Sequence, residues 1–128
     1  MLLYLFSAEE LRDLLALMGY SLPAEAIPRS IEFYLARTSH GSTLSRLVHS
    51  WVLARSDRNR SRSMFTQALD SDLADTQAGT TSEGVHLGAM AGTVAMILRC
   101  YAGRDIRGDV LRLRPAIPHA LPRAEFAI

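Results

Sequence analysis

Apolar residues recur at helical spacing from the start of the chain to Gly103, and polar residues mark where each helix begins. Ser7 and Glu10 form a predicted capping box, in which the Ser7 hydroxyl and the Glu10 carboxylate each accept a backbone hydrogen bond. The helix that follows is predicted to end at Gly19. A second, short helix is predicted from about Pro28 to Ala36.

Three more helices are predicted downstream, each from an apolar face. The inward positions of the third are Leu44, Leu47, Val48, Trp51 and Ala54, with Trp51 as a core residue. Those of the fourth are Met64, Phe65, Ala68, Leu69 and Leu73. The fifth begins near Gly84, and its small residues let other helices approach, which predicts a helix covered on most sides. Its small residues are Gly88, Ala89, Gly92, Thr93 and Ala95, and its bulky ones are Met90, Val94, Ile97 and Leu98.

The pattern changes to strict alternation after Gly103. This alternation predicts a strand at residues 110–115 and the start of a second strand at Glu125–Ile128. Because two strands alone are only marginally stable, we expect them to dock on the helices or to pair with further strands. The predicted fold class is mainly α, with one or two strands at the end.

Composition narrows the classes of function. At 128 residues with 48% hydrophobic residues, the chain is long enough to bury a core, and a net charge of +1 predicts neither nucleic acid nor membrane as a partner. The lone Cys100, among apolar neighbours, predicts a buried thiol and excludes an internal disulfide. Four basic residues lack interleaved aromatic residues and predict a solvated turn: Arg55, Arg58, Arg60 and Arg62.

Two loops share one plan, in which histidine, glycine and hydroxyl residues precede an apolar helix. They are TSHGSTL at Thr38–Leu44 and TTSEGVH at Thr80–His86. A helix start offers free amide hydrogens and partial positive charge, so each loop is a candidate anion site, with phosphate as the obvious ligand. The alternative is that the hydroxyls of Ser42, Thr43 and Ser82 only cap their helices, and the pattern alone favours it.

Other polar residues of the chain give weaker indications of a metal or catalytic site. The acidic residues Asp70, Asp72 and Asp75 lack calcium-loop spacing. The four histidines lack ligand spacing, so no metal site is predicted. Adjacent serine and histidine at positions 39 and 40 do not by themselves indicate a catalytic triad.

The motifs RTSHGSTLS at Arg37–Ser45 and TTSEGVHLGAMAGT at Thr80–Thr93 resemble the last third of glycoside hydrolase family 65. That family contains the trehalose, maltose and kojibiose phosphorylases and related hydrolases. The resemblance implies an (α/α)6 barrel, of which residues 1–103 would hold the final helices. Residues 104–128 would then begin a C-terminal β-domain.

The implied reaction is cleavage, with inversion, of the α-glucosidic bond of a disaccharide such as trehalose, maltose or kojibiose. An acid protonates the leaving oxygen while phosphate or water attacks the anomeric carbon. The resemblance assigns phosphate binding to Ser42, Thr43 and His86, and the substrate pocket to His40 and Gly41. Inorganic phosphate is the expected co-substrate of a phosphorylase, and no other cofactor is expected.

Glu83 leaves the choice between phosphorylase and hydrolase open. Its carboxylate would repel phosphate but, as a general base, could activate water. The family's general acid lies upstream, so we expect the chain to be inactive alone and to act with an upstream barrel segment on disaccharide and phosphate. A cytoplasmic location is expected, and a homo-oligomer is compatible with the sequence. The alternative is a non-catalytic helical interaction module.

Overall fold

The computed structural model of the chain describes residues 2–121 and 123–125. It divides into two compact units, one ending at Ser39 and the other beginning at His40. The predicted mainly α class is confirmed, because helices dominate and the sheet has two strands. The predicted boundary between residues 103 and 104 stays a prediction.

The first unit consists of α1 (Leu2–Leu5), α2 (Ala8–Leu17) and α3 (Ala26–Leu35). The capping box before α2 is confirmed: the Glu10 amide donates to Ser7 Oγ at 3.2 Å, and the Ser7 amide donates to Glu10 Oε2 at 2.8 Å. Gly19 follows the end of α2 with a φ of +83°. This unit buries Leu11 of α2 and Ile31 of α3.

The second unit carries the two candidate loops. Its helices are α4 (Thr43–Leu53), α5 (Arg58–Leu69) and α6 (Leu87–Ala95), with a short 3-10 helix at Thr80–Glu83. A π-helix, Met96–Tyr101, continues α6, and the strands are β1 (Arg104–Arg107) and β2 (Val110–Leu113). In the widened turn the Ala102 amide donates to the Ile97 carbonyl at 2.9 Å, five residues back.

A single hydrophobic core joins these elements of the second unit. Its buried members are Leu47, Ala54, Phe65, Ala68, Met96, Cys100, Tyr101 and Ala116. Trp51 is only partly buried and packs against this core, so its predicted place is confirmed in part. Cys100 is buried as predicted, and burial raises the pKa of its thiol to about 12.

Buried hydroxyl groups hold α4 against α5. Ser50 Oγ donates to the Ser61 carbonyl at 2.7 Å, and Ser61 Oγ donates to the Ser50 carbonyl at 2.7 Å. Ser61 Oγ also lies 3.2 Å from the Tyr101 hydroxyl. Because each group is hydrogen-bonded, the polar atoms are buried without a large desolvation cost.

The small residues of α6 allow close contact with α4, as predicted. A Cβ atom added to Gly92 would lie 2.0 Å from Leu47 Cδ2, and one added to Gly88 would lie 3.9 Å from both Leu44 Cδ atoms. The contacts advance in the same direction along both helices. The helices α4 and α6 therefore run side by side in the same sense, with their N-terminal ends adjacent.

Several apolar residues predicted to face inward are exposed instead. They are Leu44 (45%), Leu69 (39%), Leu73 (89%), Val94 (58%) and Ile97 (47%). Leu73 lies beyond the end of α5, and α6 exposes one apolar stripe rather than being covered on most sides. The physical reason is that periodicity identifies an apolar face but not whether a neighbouring element covers it.

The sheet is a hairpin of β1 and β2 in antiparallel register, from Arg104 opposite Leu113 to Arg107 opposite Val110. The predicted strand at Val110 is confirmed, but its partner is β1. Glu125 is not in a strand, and residues 126–128 of the other predicted strand lie outside the described residues. Sequence reading missed β1 because residues 104–107 lack an alternating pattern.

The hairpin docks on the helices, as expected. The Arg114 amide donates to the Gly103 carbonyl at 3.0 Å, and the Ala116 amide donates to the Tyr101 carbonyl at 2.9 Å. Gly103 has a φ of +67°, and a Cβ atom there would lie 2.1 Å from the Arg114 carbonyl oxygen. Only glycine tolerates that approach and that φ together.

The four clustered arginines are exposed to solvent as predicted, but the predicted turn is wrong for three of them. Arg58, Arg60 and Arg62 lie on α5, because Asp57 caps this helix by accepting a 3.0 Å hydrogen bond from the Arg60 amide. None of the helices that the structure describes has both the length and the apolar character needed to cross a membrane.

Candidate functional site

The start of α4 leaves polar groups unused. Ser42 occupies the position before the first helical residue, yet its side chain makes no capping hydrogen bond. The first amides of a helix have no acceptor within the helix. The interpretation of Ser42 as a simple cap is therefore wrong: its exposed hydroxyl does not cap α4, and the Ser45 amide donates instead to the Ser42 carbonyl at 3.1 Å.

His40 is held beside this helix start. Its Nδ1 lies 3.1 Å from Ser45 Oγ, which donates to the Ser42 carbonyl at 2.8 Å. The Ser45 hydroxyl proton is thus committed, so we assign His40 Nδ1 as the donor of its contact. Burial, His49 and Arg46 together lower the pKa of His40, which favours the neutral ring.

His49 packs edge-to-face against His40, with ring centroids 5.0 Å apart. Its Nδ1 lies 2.8 Å from the Ser45 carbonyl oxygen, one turn back on α4. His49 is buried, and these contacts identify it as a structural residue that holds His40.

Arg46 is a residue that sequence analysis missed. Its Nη1 atom is buried and has no hydrogen-bond partner among the residues that the structure describes. The side chain lies close enough to His40 to help lower its pKa. A buried guanidinium nitrogen without a partner is costly, so this position fits a neighbouring anion. Its spacing of four residues from Ser42, one helical turn, was the available signal.

The prediction that His86 lies one turn into its helix is wrong, because His86 directly precedes α6. The cause is Gly84, whose φ of +140° interrupts the helix and leaves Thr80–Glu83 as a separate 3-10 turn. Consequently His86 sits at the junction between that turn and α6.

Asp72 anchors His86. The His86 amide donates to Asp72 Oδ2 at 3.0 Å, and His86 Nδ1 lies 2.5 Å from Asp72 Oδ1. The Asp72 side chain is 9% exposed and that of His86 is 28% exposed. The hydrogen bond from the His86 side chain is the main cause that lowers the pKa of Asp72. On the opposite side of the ring, His86 Nε2 lies 3.3 Å from Thr80 Oγ1.

Other groups of this loop are partly engaged. Asp75 Oδ1 accepts a hydrogen bond from the Thr81 amide at 3.3 Å, and Ser82 Oγ donates to the Gly79 carbonyl at 2.7 Å. Thr81 Oγ1 is buried beside Asp72, and Thr81 helps to lower the pKa of that carboxyl group. Glu83 is exposed and ends the 3-10 turn, four residues before α6 begins, and its role as a base stays a prediction.

The two helix starts come together in the second unit, because Leu44 in the first turn of α4 reaches Gly88 in the first turn of α6. The predicted ligand roles of Ser42, Thr43 and His86, and of His40 and Gly41, stay predictions. Thr43 is buried, at 4% exposure. Across residues 2–121 and 123–125, no three or more His, Cys, Asp or Glu side chains are grouped to hold a metal ion.

Known proteins are similar in sequence to this chain. The model of the glycosyl hydrolase family 65 central catalytic domain matches residues 1–95. An uncharacterized glycosyl hydrolase of Mycobacterium tuberculosis (strain ATCC 25618 / H37Rv) is 53% identical over 126 residues, which are 98% of this chain and 10% of that protein.

Two named phosphorylases are also similar. Trehalose 6-phosphate phosphorylase of Lactococcus lactis is 34% identical over 127 residues, 98% of this chain and 16% of that protein. Kojibiose phosphorylase of Escherichia coli (strain K12) is 26% identical over 117 residues, 88% of this chain and 15% of that protein.

The chain thus spans a small part of the relatives it matches, and no solved structure matches it significantly. The family model covers most of the chain, including all of α4 and α6 and both loops before them. The resemblance drawn from the two motifs is confirmed: the chain belongs to glycosyl hydrolase family 65.

Proposed function

We propose that the chain forms the phosphate-binding side of the active site of an inverting disaccharide phosphorylase. The observation that carries this proposal is the side-by-side placement of the starts of α4 and α6, which brings the His40–Thr43 loop next to the start that carries His86. The names of the Lactococcus and Escherichia relatives support phosphorolysis of a disaccharide.

The start of α4 supplies the chemistry of an anion site. Its first amides and the unused Ser42 hydroxyl can donate to phosphate oxygens. Arg46 adds a cation with an unpaired, buried nitrogen. The neutral His40 ring can hydrogen-bond a sugar hydroxyl without adding charge. Together these groups would hold phosphate, ready to attack the anomeric carbon.

Hydrolysis is the second candidate, and Glu83 is the residue that favours it. A carboxylate beside the same pocket would oppose phosphate and could act as general base on water. Phosphorolysis is preferred because Glu83 is exposed, whereas Arg46 places a partly buried guanidinium near the α4 start.

An upstream barrel segment would complete the site. One stripe of α6 and of the π-helix that continues it is exposed, and its members follow helical spacing: Leu87, Ala91, Val94 and Ile97. Alternate helices α4 and α6 run in the same sense while α5 contacts both, which suits the end of an (α/α)6 barrel. The upstream segment would also bring the general acid, so residues 1–128 by themselves would be inactive.

The same proposal accounts for the hairpin. Its four β2 residues are all exposed, so residues 104–128 would begin a β-domain that supplies further strands. The cytoplasmic location and a homo-oligomer stay predictions.

The test compares the purified chain with a complete enzyme in which it is joined to the upstream segment. Each is incubated with trehalose, maltose or kojibiose, with and without phosphate, and glucose and glucose 1-phosphate are measured. We expect β-glucose 1-phosphate from the complete enzyme only, because inversion of an α-linkage yields the β-anomer. Product from the chain alone would overturn the requirement for an upstream acid.

Variants of the complete enzyme then test the site. Ser42→Ala and Arg46→Gln should raise the KM for phosphate about tenfold or more, since each removes a hydrogen bond to a charged ligand. Ser63→Ala, exposed on α5, is the control and should change nothing.

Glu83→Gln decides between the two reactions. Under our proposal the complete enzyme releases glucose 1-phosphate and Glu83→Gln retains that activity. If it releases free glucose instead, and the substitution abolishes this release, hydrolysis is the function and Glu83 is its base. No activity on any disaccharide in the complete enzyme would favour the non-catalytic interaction module, for which the exposed α6 stripe would be the contact surface.

A further inference from the structure

One residue, His86, engages both carboxylate oxygens of Asp72. Its backbone amide donates to Oδ2 at 3.0 Å, and its ring Nδ1 lies 2.5 Å from Oδ1. The two residues are 14 positions apart, and Asp72 lies beyond the C-terminal end of α5. The contact therefore joins the end of one helix to the start of α6.

This double contact fixes the imidazole in two respects. The backbone hydrogen bond locates the main chain of His86 relative to the carboxylate, and the ring contact then sets the direction of the side chain. An ionised carboxylate only accepts hydrogen bonds, so Nδ1 must carry a proton. In the neutral ring, Nε2 is then the unprotonated nitrogen.

The environment strengthens the pair. The Asp72 side chain is 9% exposed, so water screens its charge less than at an open surface. The other nearby acids are engaged elsewhere or exposed: Asp75 accepts from the Thr81 amide, and Glu83 is exposed. Asp72 is thus the carboxylate that governs this ring.

We propose that Asp72 is a positioning residue for His86, holding the imidazole with Nδ1 on the carboxylate so that Nε2 faces the phosphate. This inference rests on the proposed function. Thr80 Oγ1, 3.3 Å from Nε2, marks the side on which that nitrogen lies. When the ring is protonated, Nε2 donates to a phosphate oxygen and Asp72 stabilises the imidazolium. When it is neutral, Nε2 accepts the proton of a monoprotonated phosphate in a hydrogen bond.

The first test needs no activity. Long-range proton–nitrogen spectra of the ring nitrogens are recorded for the 128-residue chain, at a pH high enough to keep the ring neutral. We expect the His86 spectrum to show a protonated Nδ1 and an unprotonated Nε2. In Asp72→Asn the carboxamide can offer only one oxygen to the two N–H groups, so the spectrum should shift toward the Nε2–H form or a mixture. Asp72→Ala, which removes both acceptors, should do the same.

Asp70→Asn is the control, because Asp70 is exposed at the end of α5. An Nε2–H ring in the unsubstituted chain, or an Nδ1–H ring that persists in Asp72→Ala, would overturn the proposal. Circular dichroism of each variant checks that α6 remains folded.

The second test uses the complete enzyme. Asp72→Asn should lower kcat/KM for phosphate about 10- to 100-fold, the range seen when the carboxylate that orients a metal-bound histidine is removed. His86→Gln should lower kcat/KM by a similar factor. The double variant should lose little more, because both substitutions disrupt the same Asp72–His86 pair.

The two tests distinguish a failure of the positioning role of Asp72 from a failure of the proposed function. If the ring tautomer depends on Asp72 but only His86→Gln impairs phosphorolysis, the positioning role is overturned while the proposed function stands. If neither variant affects phosphorolysis, the role of His86 in the proposed function fails as well. A loss of affinity for phosphate in both variants, with Asp70→Asn unchanged, supports the proposal.

Discussion

The starts of α4 and α6 differ in how their polar groups are used, although both loops carry histidine, glycine and hydroxyl residues. At α4, Ser42 makes no cap, and Arg46 has a buried nitrogen without a hydrogen-bond partner in residues 2–121 and 123–125. At α6, the amide and the ring of His86 are both bound to Asp72. One start is open to a ligand, whereas the other is committed to holding a histidine.

The difference lies in the side chains beside each helix start rather than in the first amides of the helices. The third amide of each helix finds the same kind of acceptor: Ala89 donates to the His86 carbonyl at 2.9 Å, and Ser45 donates to the Ser42 carbonyl at 3.1 Å. Under our proposal, α4 contributes most of the phosphate contacts and α6 contributes the single, oriented imidazole. Four predictions test this division of roles.

The largest effect is expected where the two helices touch. Leu47 is 2% exposed and packs against Gly92 of α6, so Leu47→Ala should lower the free energy of unfolding by about 2–5 kcal/mol. Leu44→Ala is the matched control on the same helix, because Leu44 is 45% exposed and should cost less than about 1 kcal/mol. Denaturant unfolding measures both, and equal losses would show that Leu47 does not hold the starts together.

Gly92 tests the same contact from the other helix. Gly92→Val places carbon atoms against the buried Leu47 side chain and should cost about 1–3 kcal/mol by overpacking. Gly88→Ala meets only ordinary contacts with Leu44 and should be neutral or stabilise by up to about 1 kcal/mol, since alanine favours helix. Destabilisation by Gly88→Ala as large as by Gly92→Val would contradict the described spacing of the helices.

Two serines that precede helices should differ in their effect on stability. Ser7 caps α2, so Ser7→Ala should cost about 0.5–2 kcal/mol. Ser42 makes no cap, so Ser42→Ala should change stability by less than about 0.5 kcal/mol. Amide hydrogen exchange in α2 and α4 reports each helix separately. Loss of protection in α4 of Ser42→Ala would restore the capping interpretation.

The smallest effect is the pH dependence of stability, in which the two starts should differ. A pKa lowered by folding means that the unfolded chain binds the proton more readily. Stability is then complete above the ordinary pKa and is lost as pH falls through the folded value. For His40 this loss begins below 6.5, and for Asp72 it begins below 3.8.

Thermal unfolding across acid pH tests this difference. His40→Gln should remove the decline of stability that begins near the ordinary histidine pKa, and Asp72→Asn should remove the decline at lower pH. A single decline that neither substitution alters would show that other groups control the acid response.

Local features of the fold were predictable because they depend on residues within about one helical turn. The capping box at Ser7 and the strand at Val110 follow from such neighbours. The 3-10 turn before Gly84 displaced the predicted start of the fifth helix, because glycine at a φ of +140° adopts a conformation that no periodicity encodes. Leu73 was misplaced because α5 ends at Leu69.

The candidate site was predictable only in part, for the same reason. The histidines and hydroxyls stand next to recognisable helix starts and could be named. Roles could not be assigned to Arg46 and Asp72 from the sequence. The role of each depends on which groups lie next to its side chain, and only packing decides that.

By itself, the sequence determined the mainly α class, the buried Cys100, the capped start of α2 and, through two motifs, the family. Periodicity, capping and motif identity are properties of nearby residues, so they survive without a structure. Only the tertiary structure decided that α4 and α6 begin side by side, that Asp72 meets His86 across 14 positions, and that α6 leaves an apolar stripe uncovered. Those outcomes depend on which helices pack together, because burial and charge pairing are set by neighbours in space rather than in sequence.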